Sequence, residues 1–386
     1  MSPGKINHLV LLTPPGRSAL ATLCVEGPQA VALVGQFFLP VGGKPLSDRE
    51  IGSICFGHWS RIGGEEVVLS QHRQDQVEIH CHGGTISVNL LRQSLLDAGC
   101  EEIAWQQWII NQQPDPIVSD ALIALAEAKS QRTALLLLAQ AEGALRDAIE
   151  NITLLLRQRD LPAACDALDA LLIHAPLGQH LVCGWQIVLA GRANVGKSSL
   201  INALVGYQRA IVYDEPGTTR DVLIAKTALE GWPITLTDTA GLQPSRDPLE
   251  LAGMRAAEAS LEAADLAILV FDASLPWSTE DDALVERWPA ALIVHNKCDL
   301  QGAAGFRPEG VQSSAQLAGG VTELCEQIIA RLIDRVPDDD AALPFTDEQV
   351  RAASAARRAL ARSDVSLALD RLSGPPFLIG PAQQDR

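Results

Sequence analysis

One octapeptide constrains this chain more than any other feature. Gly191-Arg192-Ala193-Asn194-Val195-Gly196-Lys197-Ser198 follows an apolar run from Gln186 to Ala190 and precedes a helix-like stretch, Ser199 to Val205. The pattern G-x-x-x-x-G-K-[ST] between a strand and a helix builds a phosphate cradle: its glycines allow the positive-φ turn that aims backbone N–H groups at phosphate oxygens. Asn194, Val195, Gly196, Lys197, Ser198 and Ser199 are the expected nucleotide contacts. Lys197 would reach the β- and γ-phosphates, and Ser198 would ligate Mg²⁺.

Three further signals follow in order. Asp238-Thr239-Ala240-Gly241 closes a predicted strand (Ile234 to Thr237), placing Asp238 to hold the magnesium shell and the Gly241 amide to sense a γ-phosphate. Asn296-Lys297-Cys298-Asp299 follows the apolar run Ala291 to His295. A carboxylate such as Asp299 accepts two hydrogen bonds from guanine's N1–H and exocyclic amine, a pair adenine does not offer, and the wrong base leaves that carboxylate unpaired. Ser314-Ala315 comes after another short strand, where a backbone amide meets the guanine carbonyl. Between the first two motifs lies Pro216-Gly217-Thr218-Thr219-Arg220-Asp221, from which Thr219 is expected to close the magnesium shell. The residue after Gly241 is Leu242, which has no group to orient a water, so that water must be oriented by another residue.

Strand-like and helix-like stretches alternate from about residue 185 to 336, which implies an α/β fold with a parallel-rich sheet, here a P-loop G domain. Residues 1–118 mix short apolar runs with Gly/Pro punctuation, the texture of an α+β domain. From Ser119 to about Leu172, Ala, Leu, Glu, Gln and Arg recur at three- and four-residue steps, predicting two or three helices; His174 to Gly178 reads as a linker. Thr346 with Gln349 three residues later is a capping-box signature for a further helix. The expected organisation is therefore an N-terminal domain (1–118), a G domain (185–336), and a discontinuous helical domain (119–184 and 343–386) into which the G domain is inserted.

Charge limits the partners. With 30 Lys+Arg against 47 Asp+Glu the chain carries −17, and residues 186–335 alone sum to −8. Phosphate neutralisation supplies most non-specific nucleic-acid affinity, so any such contact must be local or shared with a partner. The one local basic stripe is Arg351, Arg357, Arg358 and Arg362, although charge runs are ordinarily solvated helix faces. No apolar run approaches the length of a membrane span, and MSPGKINHL lacks the pattern of a secretory signal, so the expectation is a cytoplasmic protein without membrane contact. The eight cysteines show no C-x-x-C spacing and read as reduced thiols.

These residues resemble the MnmE/TrmE family of tRNA-modification GTPases over most of the chain. Thr13-Pro14-Pro15-Gly16-Arg17 and Val77-Glu78-Ile79-His80-Cys81-His82-Gly83-Gly84 are similar to that family's folate-binding domain; its Gly-Gly turn accounts for His80, Cys81 and His82 without a metal. The run Gly191 to Ser199 is similar to the opening of its G domain, and Pro216 to Asp221 to its switch I. The resemblance implies GTP hydrolysis to GDP, activated by K⁺ and by pairing with a second G domain, hence a homodimer or a G-domain dimer. The K⁺ ion would be held by the Asn194 side chain and the carbonyls of Tyr213, Glu215 and Thr218, placing positive charge where the transition state turns negative. Asp247 to Arg255 matches the family's switch II helix, and its water-orienting glutamate maps to Glu250. Catalysis would then rest on Glu250, Lys197 and Thr219, with tRNA and a flavin-dependent protein as partners in wobble-uridine modification.

The departures are specific. Cys24 and Gln113 stand where the family's folate contacts are an arginine and a lysine, leaving Glu78 alone of three; losing two cations removes the partners of a folate's carboxylates and counts against folate. Phe377-Leu378-Ile379-Gly380-Pro381 echoes the family's terminal Cys-Ile-Gly-Lys motif without the cysteine, and the helical domain is shorter. The sequence therefore leaves two alternatives open: a GTP-dependent switch that binds a partner, in the manner of Era or Der, and a paralogue without modification chemistry.

Overall fold

A computed structural model describes residues 6–14, 16, 18–61, 63–207, 224–239, 257–303, 305–317 and 319–377. Thr218, Thr219, Tyr213, Glu215, Gly241 and Glu250 lie outside the described residues. The chain divides into two compact units, Met1–Pro114 and Asp115–Arg386.

The first unit is a seven-stranded sheet backed by helices. Its strands are β1 (His8–Leu11), β2 (Leu20–Glu26), β3 (Phe38–Pro40), β4 (Ile54–Trp59), β5 (Glu66–Arg73), β6 (Gln76–His82) and β7 (Glu101–Glu102), in the order β3-β4-β5-β6-β2-β1-β7. All pairs are antiparallel except β1 with β7. Period-2 alternation sends Ala21, Leu23 and Val25, with Val77, Ile79 and Cys81, into a core completed by Leu33 and Val34 of α1 (Ala30–Phe37) and Leu91 and Leu95 of α2 (Thr85–Asp97). The unit ends with α3 (Trp105–Gln112).

In the second unit, the region from 116 to 172 forms four helices where the sequence predicted two or three. They are α4 (Pro116–Glu127), α5 (Gln131–Glu142), α6 (Ala144–Gln158) and α7 (Leu161–Leu172). Gly143 takes φ +115 and closes α5 in the left-handed conformation, so a lone glycine inside a helical pattern splits it. Arg159, also left-handed at φ +62, does the same for α6, and the Asp160 side chain caps α7. The expected linker is helical too: α8 (Ala175–Gly178) and α9 (His180–Cys183) lead directly into the sheet.

That sheet has six strands in the order β13-β12-β11-β8-β10-β9: β8 (Trp185–Ala190), β9 (Ile224–Leu229), β10 (Trp232–Asp238), β11 (Leu266–Asp272), β12 (Leu292–Asn296) and β13 (Val311–Gln312). Only β9 with β10 is antiparallel. The central strands are near-continuous apolar runs because both faces are buried. Ile187, Leu189, Ile268 and Val270 pack on α10 (Lys197–Tyr207) and α12 (Thr322–Leu332); Val188, Ala190, Leu269 and Phe271 face the side of α11 (Thr279–Arg287).

The helices α13 (Asp347–Ala361) and α14 (Val365–Ser373) return to pack with α6 and α7. Thr346 caps α13 through the capping box anticipated from the sequence, its hydroxyl accepting from Gln349 N–H while the Gln349 side chain accepts from Thr346 N–H. Sheet and helices are joined at the end of the strands away from the P-loop. Trp185 and Trp232 meet edge to face at 5.7 Å, His180 stacks on Trp185, and Arg132 of α5 lies over the Trp232 ring at 5.0 Å. Both tryptophans belong to the same apolar core as α4–α7, α13 and α14.

Candidate functional site

The site lies at the carboxyl ends of β8, β10, β11 and β12, where parallel sheets place ligand chemistry. The loop after β8 holds two glycines that nothing larger fits. Gly191 sits at φ +151, where a Cβ would collide with the Val270 carbonyl, and Gly196 at φ +96, where it would meet Asn296 Nδ2. Asn194 between them is also left-handed, at φ +64, a conformation asparagine tolerates. Its side chain is exposed and has no partner among the described residues.

Lys197 opens α10 with a buried side chain. Its ammonium donates to the Gly191 and Arg192 carbonyls at 3.2 Å each and stands 4.0 Å from Asp238 Oδ1. Burial draws its pKa down, and the charge of Asp238 pulls the other way. The Ser198 hydroxyl donates to Asp238 Oδ2 at 2.6 Å. Asp238 Oδ1 is buried without a hydrogen-bond partner among the described residues. The two side chains assigned to magnesium thus converge from two elements, with one carboxylate oxygen unspent. Ser199 is exposed on the first turn of α10 and Val195 is buried beneath the loop.

The base end is tied to the phosphate end by the N-K pair. Asn296 Nδ2 donates to the Val195 carbonyl at 2.9 Å, and Lys297 Nζ donates to the Asn194 carbonyl at 2.7 Å. Lys297 also pairs with Asp272 at 2.6 Å. Burial raises the Asp272 carboxyl, but hydrogen bonds from Lys297 and Ser274 outweigh it and hold the group below the usual carboxylate range. Asp299 is exposed, with its Oδ1 accepting from the Ser314 hydroxyl at 2.5 Å. The Ser314 amide is spent on the Gly320 carbonyl, while the Ala315 amide has no backbone partner among the described residues.

Asp272 is the residue sequence reasoning missed. The signal for it is its position, an acid ending the apolar strand 266–272 as Asp238 ends β10. Arg307 was missed too: its guanidinium donates to the carbonyls of Asp272, Ala273 and Leu275 and so clamps the loop after β11. No pattern in the sequence marks it.

Residues 186–297 match the family model described as "50S ribosome-binding GTPase". The chain is 34% identical over 395 residues to the tRNA modification GTPase MnmE of Synechococcus sp. (strain WH7803), covering 90% of this chain and 85% of that protein. The chain belongs to the MnmE family. MnmE of Chloroflexus aurantiacus is 36% identical over 331 residues, covering 75% of this chain and 72% of the other. Among solved structures, Era from Aquifex aeolicus bound to GDP and tetrafluoroaluminate aligns with 46% of this chain and 67% of its own, at 25% identity and a TM-score of 0.32. As an MnmE-family member with a P-loop G domain, the protein binds guanine nucleotide and hydrolyses GTP. None of its described helices is long and apolar enough to cross a membrane.

The three positions aligned with the MnmE folate contacts lie in the first unit. Cys24 and Glu78 are register partners on β2 and β6. Cys24 is fully buried, its thiol pushed up to about 11 chiefly by burial. Glu78 is met by His72 at 3.1 Å and His80 at 3.7 Å. Gln113 caps the end of α3. The nearby guanidinium, Arg73, donates to Glu26 at 3.0 Å and to Gln112 at 3.1 Å. Glu26 also accepts from Trp108 and Gln112.

Proposed function

We propose that this protein is a K⁺-stimulated, Mg²⁺-dependent GTPase acting in wobble-uridine modification of tRNA, with a flavin-dependent partner protein and a G-domain pair as the hydrolytic unit. The observation that carries the reading is the match to MnmE proteins along 90% of the chain at 34% identity. A helical domain interrupted by an inserted G domain is part of the same reading, as is a cytoplasmic location.

The donor set fits magnesium: a serine hydroxyl and an aspartate with an unspent buried oxygen, Ser198 and Asp238, which Thr219 would complete. Held there, Mg²⁺ would supply positive charge against the phosphates of the nucleotide. Lys197 would reach the phosphate oxygens from the helix start, and its burial would strengthen that attraction. Asn194, whose side chain has no partner among the described residues, would hold K⁺ together with the carbonyls of Tyr213, Glu215 and Thr218. Glu250 would orient the attacking water, since Leu242 has no group for it. Asp299 and the Ala315 amide would read the guanine edge.

The first unit does not fit a folate held in the MnmE manner. Cys24 is neutral and buried, Gln113 carries no charge, and Arg73 is held by Glu26 and Gln112, so none of these three positions offers a folate carboxylate a free cation.

Deleting the gene and measuring modified wobble uridine in total tRNA by mass spectrometry tests the proposal. Loss of the modified base is expected. Unchanged levels would overturn the modification role and leave a GTP-dependent switch.

A further inference from the structure

The helix α13 carries a feature that GTP chemistry does not use. Residues 351–362 contain four arginines and no acidic residue, in a chain of net charge −17. The structure separates these four into two kinds. Arg357 is withdrawn: its guanidinium makes a bidentate pair with Asp169 of α7, at 2.8 and 2.9 Å. Arg351, Arg358 and Arg362 are exposed and have no ion pair or hydrogen bond among the described residues.

Helix geometry places those three together. At about 100° per residue, positions 351, 358 and 362 fall within about 20° of one line along the helix. The buried residues Gln349, Ala353, Ala356 and Leu360 lie on the opposite side. Ser354 and Ala355, between the arginines, are small, so the guanidinium groups stand on an unobstructed ridge. Of the acids around the stripe, Asp169 pairs with Arg357, Asp347 accepts from Gln179 and Asp364 caps α14; Glu348, in the first turn of α13, and Asp166, near Arg357, form no ion pair with Arg351, Arg358 or Arg362 among the described residues. At about 1.5 Å rise per residue the spacings are about 10 and 6 Å, so the three guanidinium groups are spread along about 16 Å of the helix. Arginine suits this task because its planar fork bonds phosphate bidentately and is weakly hydrated.

We propose that Arg351, Arg358 and Arg362 form an RNA-backbone contact ridge, and that through it this acidic protein engages tRNA. The inference rests on the tRNA reading above. Three phosphate contacts are a positioning surface without sequence readout. Their electrostatic part predicts a fall of about 2–3 in the slope of log K against log salt when all three are neutralised, which at 0.1 M salt corresponds to about 100- to 1000-fold weaker binding.

The test compares full-length wild type, the R351Q/R358Q/R362Q variant and R357Q by filter binding to bulk tRNA between 0.05 and 0.3 M salt, on the order of the range over which such slopes are resolved. The triple variant is expected to lose affinity and slope while keeping GTP turnover and thermal midpoint; R357Q is expected to keep the wild-type slope. Wild-type binding with an unchanged slope in the triple variant overturns the ridge and leaves the tRNA reading standing. Absence of tRNA binding by the wild type overturns both. Arginine-dependent binding to phosphatidylglycerol vesicles without arginine-dependent tRNA binding assigns the ridge to a membrane and also overturns the proposal.

Discussion

Removing one hydroxyl, in Ser314→Ala, separates base recognition from phosphate binding. Ser314 Oγ donates to Asp299 Oδ1 at 2.5 Å, and Ser314 itself is fully buried while Asp299 is exposed. The serine therefore holds the carboxylate proposed to accept guanine's two donors. A hydrogen bond to a charged acceptor contributes about 1.5–3 kcal/mol, and because water replaces part of it at an exposed carboxylate the lower end applies, about 1.5 kcal/mol. At about 1.4 kcal/mol per decade, GDP and GTP should bind roughly tenfold more weakly. The hydroxyl's other contact is the Gln316 amide at 3.2 Å, so the fold should be nearly unaffected. Fluorescent-nucleotide titration gives Kd for guanine and adenine nucleotides in both proteins. A GDP Kd within about twofold of wild type, or an equal loss for adenine nucleotides, would refute the reasoning, since either result means that the Ser314 contact does not serve base selection.

Glu250→Ala should lower kcat for GTP with affinity nearly intact, read from single-turnover and titration data; a defect confined to affinity contradicts a water-orienting role. GTP turnover should be faster in K⁺ than in Na⁺, and Asn194→Ala should abolish the difference; equal rates in wild type remove the K⁺ site. Asp120 on α4 has its pKa raised from the usual carboxylate range to about 6, first by burial and then by the charge of Glu348. The folded state therefore holds this proton more tightly than the unfolded chain, and stability falls as pH rises between about 4 and 6. Above that window, after discounting for partial exposure, the ionised carboxylate costs about 2 kcal/mol. Asp120→Asn should raise the denaturation midpoint at pH 7.5 and leave it unchanged near pH 4; a gain of equal size at both pH values contradicts the titration account.

The structure differs from the sequence expectations in three instructive places. The helical region holds more helices than predicted because a glycine that is merely tolerated in a helical pattern adopts the left-handed cap at 143. The linker at 174–178 is helical because Pro176 falls in the first turn, where its missing N–H costs nothing. The basic stripe loses a member because Asp169, nearly 200 residues earlier, claims Arg357. Each depends on a conformation or a partner that local pattern does not encode.

The sequence by itself determined the nucleotide chemistry. Gly191 to Ser198, Asp238, Asn296 to Asp299 and Ser314-Ala315 are legible because each is a short run whose residue types and flanking strand dictate one local geometry. Only the tertiary structure decided how those runs form one site. Asn296 and Lys297 reach back more than 100 residues to hold the Val195 and Asn194 carbonyls, Ser198 meets Asp238 across 40 residues, and Asp272 fixes Lys297 from the adjacent parallel strand. Strand order sets those distances, and strand order comes from burying both faces of the sheet, which no single motif specifies.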